Sequence, residues 1–143
     1  MRYCPLALML ALFGCGSSPE PLSKDAEAEN IYEAVFRHQF KNNSSALQQK
    51  AQAYCLSIND KDATRVFLKR FADHKPPVLP RSEFKEGEAL IFYVNNLKWV
   101  NDNTVEVSGG YEEHDLSSSW GLYRVVRQNN GWAVEKDTPL VIS

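Results

Sequence analysis

Four stretches of the chain hold residue types that could do chemistry. Glu112, Glu113, His114 and Asp115 stand in a row, and side chains of these types bind divalent metals. Neighbours on an extended strand point to opposite faces, so the row reads first as a solvated hairpin turn and only second as a ligand set. His114, Asp115 and serines 117–119 carry the letters of a hydrolase triad. A triad is a spatial arrangement, however, and no nucleophile elbow accompanies these residues. Cys55 lies in the apolar run AYCLSI without an activating neighbour, which suits a small buried hydrophobe better than a nucleophile. His74 ends a predicted helix, where an imidazolium would complement the helix dipole. The chain has no glycine-rich phosphate loop, no CxxC and no HExxH. No residue is therefore assigned as catalytic or metal-binding, and no cofactor is expected.

A fifth candidate is a single amide. Between Ser23, a helix-capping residue, and the Asn42-Asn43 stop, residues Ala28, Ile31, Tyr32, Val35, Phe36 and Phe40 recur at helical spacing. They form one apolar face, and at 100° per residue Gln39 falls near its centre. Arg37 points the opposite way and His38 lies at the border. A buried amide left without partners costs about 1–3 kcal/mol. Gln39 must then bond a backbone edge in the core or line a pocket, and both readings are open.

The elements that must position these residues follow from pattern. From Ala89 onward the chain reads ALIFYVNNLKWV, NDN, TVEVSGGYEE, a polar loop, SWGLYRVVRQ, NNG and WAVEKDTPLVI, which predicts consecutive antiparallel strands joined by Asn/Asp/Gly turns. Val105, Val107 and Tyr111 share one face of their strand, and Thr104, Glu106 and Ser108 share the other. Both faces of SWGLYRVVRQ carry large residues, so that strand is expected to be central. Gly109-Gly110 inside a strand points to a bulge or bend, or to a close approach by another backbone or a ligand. Earlier in the chain, Ala53–Ile58 is a further strand and SSALQQKAQ is ambiguous. Asp60 is expected to cap a helix with Ala63, Val66, Phe67 and Phe71 on its inner face. HKPPVLPRSEFKEGE is expected to be an irregular crossover, since its prolines oppose both helix and strand pairing.

At 143 residues the chain is one domain by length, and 43% hydrophobic with 24% charged residues is an ordinary globular composition. The formal net charge of −2, with Lys and Arg scattered, offers no cationic cluster to displace phosphate counterions. Nucleic acid is not an expected partner.

The N-terminus carries the most specific signal. MRYCPLALMLALFGC has one basic residue and an apolar run too short to span a bilayer, the length of a signal-peptide core. Leu12-Phe13-Gly14-Cys15 resembles the bacterial lipobox. A plain secretory signal and a buried N-terminal segment are the alternatives. The resemblance implies that residues 1–14 are removed and that Cys15 is lipidated, anchoring the protein to a membrane. The polar, acidic stretch 15–25 would serve as a tether, and 26–143 as the folded domain. Gly16 is not the aspartate that retains lipoproteins in the inner membrane, so the resemblance favours the outer membrane, facing the periplasm. Cys4 leaves with the signal, Cys15 becomes a thioether, and Cys55 remains as a lone thiol with no internal disulfide to form.

Helices followed by a curled sheet ending in NNGWAVEKDTPLVIS resemble the nuclear-transport-factor-two-like, cystatin-like α+β roll. The expected fold class is α+β, with N-terminal helices packed on a curled antiparallel sheet of about four to five strands. In that superfamily the first helix lies against the concave sheet face and often leaves a pocket. The resemblance would place Gln39, Tyr32, Phe36, Tyr93, Tyr111 and Trp120 around it. The expected role is a lipid-anchored envelope protein that binds a small apolar ligand or another envelope protein without catalysis. The rival is a small pocket enzyme, an isomerase, dehydratase or hydrolase. A filled or apolar interior would favour the first, and a cavity pairing a carboxylate with His or Tyr would favour the second.

Overall fold

The computed structural model describes residues 22–114 and 117–142. Residues 1–14, Cys15 and most of the tether lie outside them, as does Asp115. The described residues form an α+β domain with two α-helices and an open seven-stranded mixed sheet.

Helix α1 spans Lys24–Asn42. Ser23 caps it, accepting from the Ala26 N–H at 3.3 Å, and Asp25 and Glu27 occupy the positive first turn. Asn43 closes the other end, its backbone and side-chain N–H groups both donating to the Gln39 carbonyl. The buried face is Ile31, Val35, Phe36, Gln39 and Phe40, the middle of the stripe that the spacing predicts, while Ala28 and Tyr32 of that stripe are partly buried. Residues 46–50 then turn without forming a helix.

Strand β1, Ala53–Ile58, leads into a tight hairpin with β2, Lys61–Asp62. Here an expectation fails. Asp60 does not cap a helix: Asn59 and Asp60 take φ of 50° and 61° and form the two-residue hairpin turn, a geometry that Asn and Asp tolerate. The helix α2 is only Arg65–Leu68, capped by Thr64 and continued by a 3₁₀ turn, Lys69–Phe71. Phe67 and Phe71 are buried, but Val66 is 73% exposed because so short a helix buries less than a full face.

The proline-rich crossover also holds a strand. Strand β3, Val78–Pro80, pairs in parallel with β1, and the Pro77 carbonyl accepts from the Tyr54 N–H at 3.0 Å. Proline carbonyls still accept, and β3 pairs with β1 alone, so the missing proline N–H breaks no ladder.

Strands β4 (Ala89–Asn101), β5 (Thr104–His114), β6 (Ser117–Gln128) and β7 (Gly131–Ile142) form the predicted antiparallel series. The sheet runs β2-β1-β4-β5-β6-β7, with β1 parallel to β4. It is therefore mixed and seven-stranded, where four to five antiparallel strands were expected. The short N-terminal pieces β1, β2 and β3 add the difference. Strand β6 is interior, as expected.

One core unites the inner faces of these elements: Val35, Phe36 and Phe40 of α1, Leu56 of β1, Phe67 and Phe71, and Leu90, Phe92, Val94, Val105, Val107 and Val125 of the sheet. Polar clamps fix α1 along its length. Arg127 on β6 meets Glu27 at 2.9 Å, Arg70 reaches Glu29 at 3.0 Å and Glu33 at 2.9 Å, and His38 meets Asp137 on β7 at 3.1 Å. The C-terminal end of α1 is thereby held against β7.

Candidate functional site

The first of the chemistry-bearing rows does not assemble a site. Glu113 accepts from Ser45 Oγ at 2.8 Å, and Glu112 lies 3.7 Å from Arg81. The side chain of His114, like Asp115, lies outside the described residues. Among the described residues no three His, Cys, Asp or Glu side chains stand close enough together to hold a metal. Cys55 is fully buried against Ala89 and Ile91, and burial pushes its thiol up to about 11. His74 rests on the Phe40 and Tyr54 rings, with Nδ1 2.8 Å from the Pro76 carbonyl. Since a carbonyl only accepts, Nδ1 carries the proton there.

A site does form where α1 ends over the sheet. A cavity of about 160 Å³ lies between Gln39, Asn42, Asn43 and Ser44 on one side and Tyr111, Ser119, Gly121, Tyr123, Asp137 and Pro139 on the other. Two glycines let the surrounding elements approach closely, and one of them, Gly121, lines the cavity. Gly109 and Gly121 are direct partners on β5 and β6. A Cβ on Gly109 would stand 3.1 Å from Gln39 Nε2 and overlap the Tyr93 carbonyl, and one on Gly121 would stand 2.8 Å from the Thr138 carbonyl. The β4–β5 register runs unbroken through Gly109 and Gly110, so the pair marks close approach rather than a bulge. The bulge falls on the neighbouring strand, where Asn96 takes φ of 54° and pairing skips from Asn95/Ser108 to Lys98/Glu106.

Gln39 is 3% exposed, and its Nε2 donates to the Tyr93 carbonyl at 3.1 Å. That bond fixes the amide's orientation, because a carbonyl cannot face the amide oxygen. It leaves Oε1 buried with no hydrogen-bond partner. Both readings of Gln39 hold together: one end of the amide bonds a backbone edge, and the residue lines a pocket.

Around it the polar groups are largely committed. Ser44 Oγ and Tyr111 Oη share a hydrogen bond of 3.0 Å. Asn43 Nδ2 donates to the Gln39 and Phe40 carbonyls, and Asn42 Nδ2 to the His38 carbonyl at 2.9 Å. Asn42 Nδ2 also lies 3.3 Å from His38 Nδ1. An amide N–H₂ only donates, so Nδ1 accepts and Nε2 carries the proton that binds Asp137. Both His38 nitrogens are engaged in this arrangement. Tyr123, packed edge-on against the His38 ring, is pushed up to about 12, chiefly by burial, with the adjacent Gln39 amide offsetting part of the rise. Its phenol keeps its proton through the physiological range.

Of the six residues expected around a pocket, the structure brings Gln39 and Tyr111 together there. Phe36 is fully buried in the core, and Tyr32 is partly buried against it. Tyr93 contributes its backbone carbonyl, but its side chain projects from the opposite face. There its hydroxyl donates to the Ser119 carbonyl at 3.2 Å and lies 3.0 Å from where a Gly110 Cβ would be. Trp120, next to inward-facing Gly121 on the pleat, also points outward and is 42% exposed. The sequence reading missed Asp137, Tyr123 and the role of His38. Tyr123 was readable from alternation on β6. Asp137 was not, because the register shift between Arg124/Lys136 and Val125/Val134 changes which β7 residues face inward.

No family model, no curated protein and no solved structure matches this chain.

Proposed function

We propose that this is a lipid-anchored envelope protein whose domain binds a small polar molecule in the cavity between the end of α1 and the sheet. The observation that carries the binding reading is the buried Gln39 carbonyl, unpartnered beside a polar cavity that Gly121 helps to line. An unsatisfied buried carbonyl costs about 1–3 kcal/mol, a cost that a bound donor removes. The polar lining shifts the ligand chemistry from the apolar molecule that the sequence suggested to a hydrogen-bonding one. The packing of α1 and the sheet around one core supports the roll-like arrangement expected from the chain's element order. The anchoring rests on the Leu12-Phe13-Gly14-Cys15 lipobox, and on it rests placement at the outer membrane, facing the periplasm. Among the described residues no helix is long and apolar enough to cross a membrane.

A second reading, a small pocket enzyme, is favoured by one observation: His38, Asp137, Tyr111 and Tyr123 converge at one cavity. Binding is the stronger reading. His38 could shuttle a proton only by giving up Asn42 or Asp137, and Tyr123 holds its proton too firmly to act as a base. Thermal-shift screening with small polar molecules tests the choice. The binding reading expects stabilisation of the wild-type chain that Asp137→Asn weakens, with the added molecule recovered unchanged. Recovery of a transformed product would establish the enzyme instead.

A further inference from the structure

Resting on that binding reading, we infer that the cavity takes a small organic ammonium ion, a primary amine of about four to eight heavy atoms held by Asp137 and the Gln39 carbonyl. Three features of the wall agree on the sign of the ligand. First, Asp137 is the one residue with an ionisable acid or base of ordinary charge among the ten that line the cavity; Lys and Arg are absent from them. His38 Nε2 engages one Asp137 oxygen, Oδ2, at 3.1 Å, and the carboxylate has a second oxygen to offer a ligand. Second, the amide donors are turned away, leaving the Tyr123 hydroxyl, beside the Gln39 amide, as a donor on the wall. Gln39 and Asn43 direct amide N–H groups to backbone carbonyls, Asn42 directs its own to the His38 carbonyl and ring, and the oxygen left over at Gln39 is an acceptor. Third, Asn42 and Asn43 are the end of α1, where the helix dipole is negative. An anion would meet a carboxylate, an orphaned carbonyl and the wrong end of a helix. An ammonium group offers three donors to the same set.

Size follows from the cavity. About 160 Å³ is the scale of cavity that accepts a single six-membered ring, roughly 150 Å³. Gly121, a wall residue, adds no side chain to that space.

The test is calorimetric titration of the full chain, solubilised in detergent, with two matched sets of probes. Ethanolamine, ethylene glycol and glycolate form one set; benzylamine, benzyl alcohol and benzoate form the other. At least one amine should bind about tenfold or more tightly than its own alcohol and carboxylate. Asp137→Asn should cut that amine's affinity by about ten- to a hundredfold, and Gln39→Leu should weaken it independently. Lys136→Ala, which changes a residue outside the cavity wall, should leave it unchanged. Circular dichroism of each variant confirms the fold before titration. An alcohol or carboxylate binding as well as its amine, or an Asp137→Asn chain that folds and binds the amine as wild type, would overturn the ammonium assignment while leaving the binding reading intact. Failure of all six probes to bind would overturn both.

Discussion

Gln39 shows how one side chain can be both structural and receptive. Replacing it with Leu deletes the Nε2 bond to the Tyr93 carbonyl, worth about 1 kcal/mol, and also deletes the unpartnered Oε1. The two effects oppose each other, so Gln39→Leu should change unfolding free energy by no more than about 1 kcal/mol in denaturant titration. Gln39→Glu should cost more, about 2–4 kcal/mol, because an oxygen replaces the donor facing Tyr93 and a buried charge is added. Equal costs for the two variants would show that the amide orientation is wrong. Tyr123 supplies a pH signature. Its pKa is raised by burial to about 12 from 10.0, so the folded state holds a proton that the unfolded state releases first. The sign is then fixed: stability is intact below about pH 10 and falls as pH rises toward 12, by roughly 2–3 kcal/mol for this group. Cys55, raised from 9.0 to about 11, adds a loss that begins nearer pH 9. Stability measured across this range should flatten in Tyr123→Phe; an unchanged slope in that variant would refute the assignment.

At the scale of elements, the strands of the last third and the stripe of α1 were readable because each is long and its pattern is local. Alternation fixes a strand's faces, and Asn-rich turns fix where it ends. What was unreadable is set by contacts between distant segments. Asn59-Asp60 looked like a helix cap because Asn and Asp serve caps and left-handed turns equally; only pairing of Ile58 with Lys61 decides between them. Likewise Val78–Pro80 becomes a strand only because β1 offers it an edge. The Gly109-Gly110 pair announced a special place, yet whether it bends or admits a neighbour depended on β6. That dependence gives a prediction. A Cβ on Gly110 would overlap the Ser119 carbonyl, which is backbone and cannot step aside. Gly110→Ala should therefore destabilise by more than about 3 kcal/mol or prevent folding, as measured by circular dichroism and denaturant unfolding. The clamp on α1 gives another. Arg70 is 31% exposed and contacts Glu29, Glu33 and Asn30. Arg70→Ala should cost about 1–2 kcal/mol, more than a lone surface pair because the contacts form a network, and the cost should shrink in high salt.

For the whole molecule, two sources of information point to different parts of the chain. The stretch Leu12-Phe13-Gly14-Cys15, which resembles a lipobox, lies outside the described residues and bears on location, whereas the cavity lies in the fold and bears on binding. If Cys15 is the anchor, Cys15→Ser should abolish labelling by radioactive palmitate and release the protein from the membrane fraction; persistent labelling of the variant would remove the anchoring proposal without touching the cavity. Candidate residues were partly legible from sequence because Gln39 and Tyr111 lie in regular stretches. Asp137 and His38 meet across 99 positions of chain, a distance that no local pattern spans. The central claim, that the cavity at the end of α1 is a binding site, is tested most directly by native mass spectrometry of the full chain isolated gently from the cells that produce it. The account predicts a small non-covalent adduct on the wild-type chain that is lost in the folded Asp137→Asn variant. An adduct retained by that variant, or a wild-type chain that carries none and gains none when supplied with a cell extract's small molecules, would contradict it.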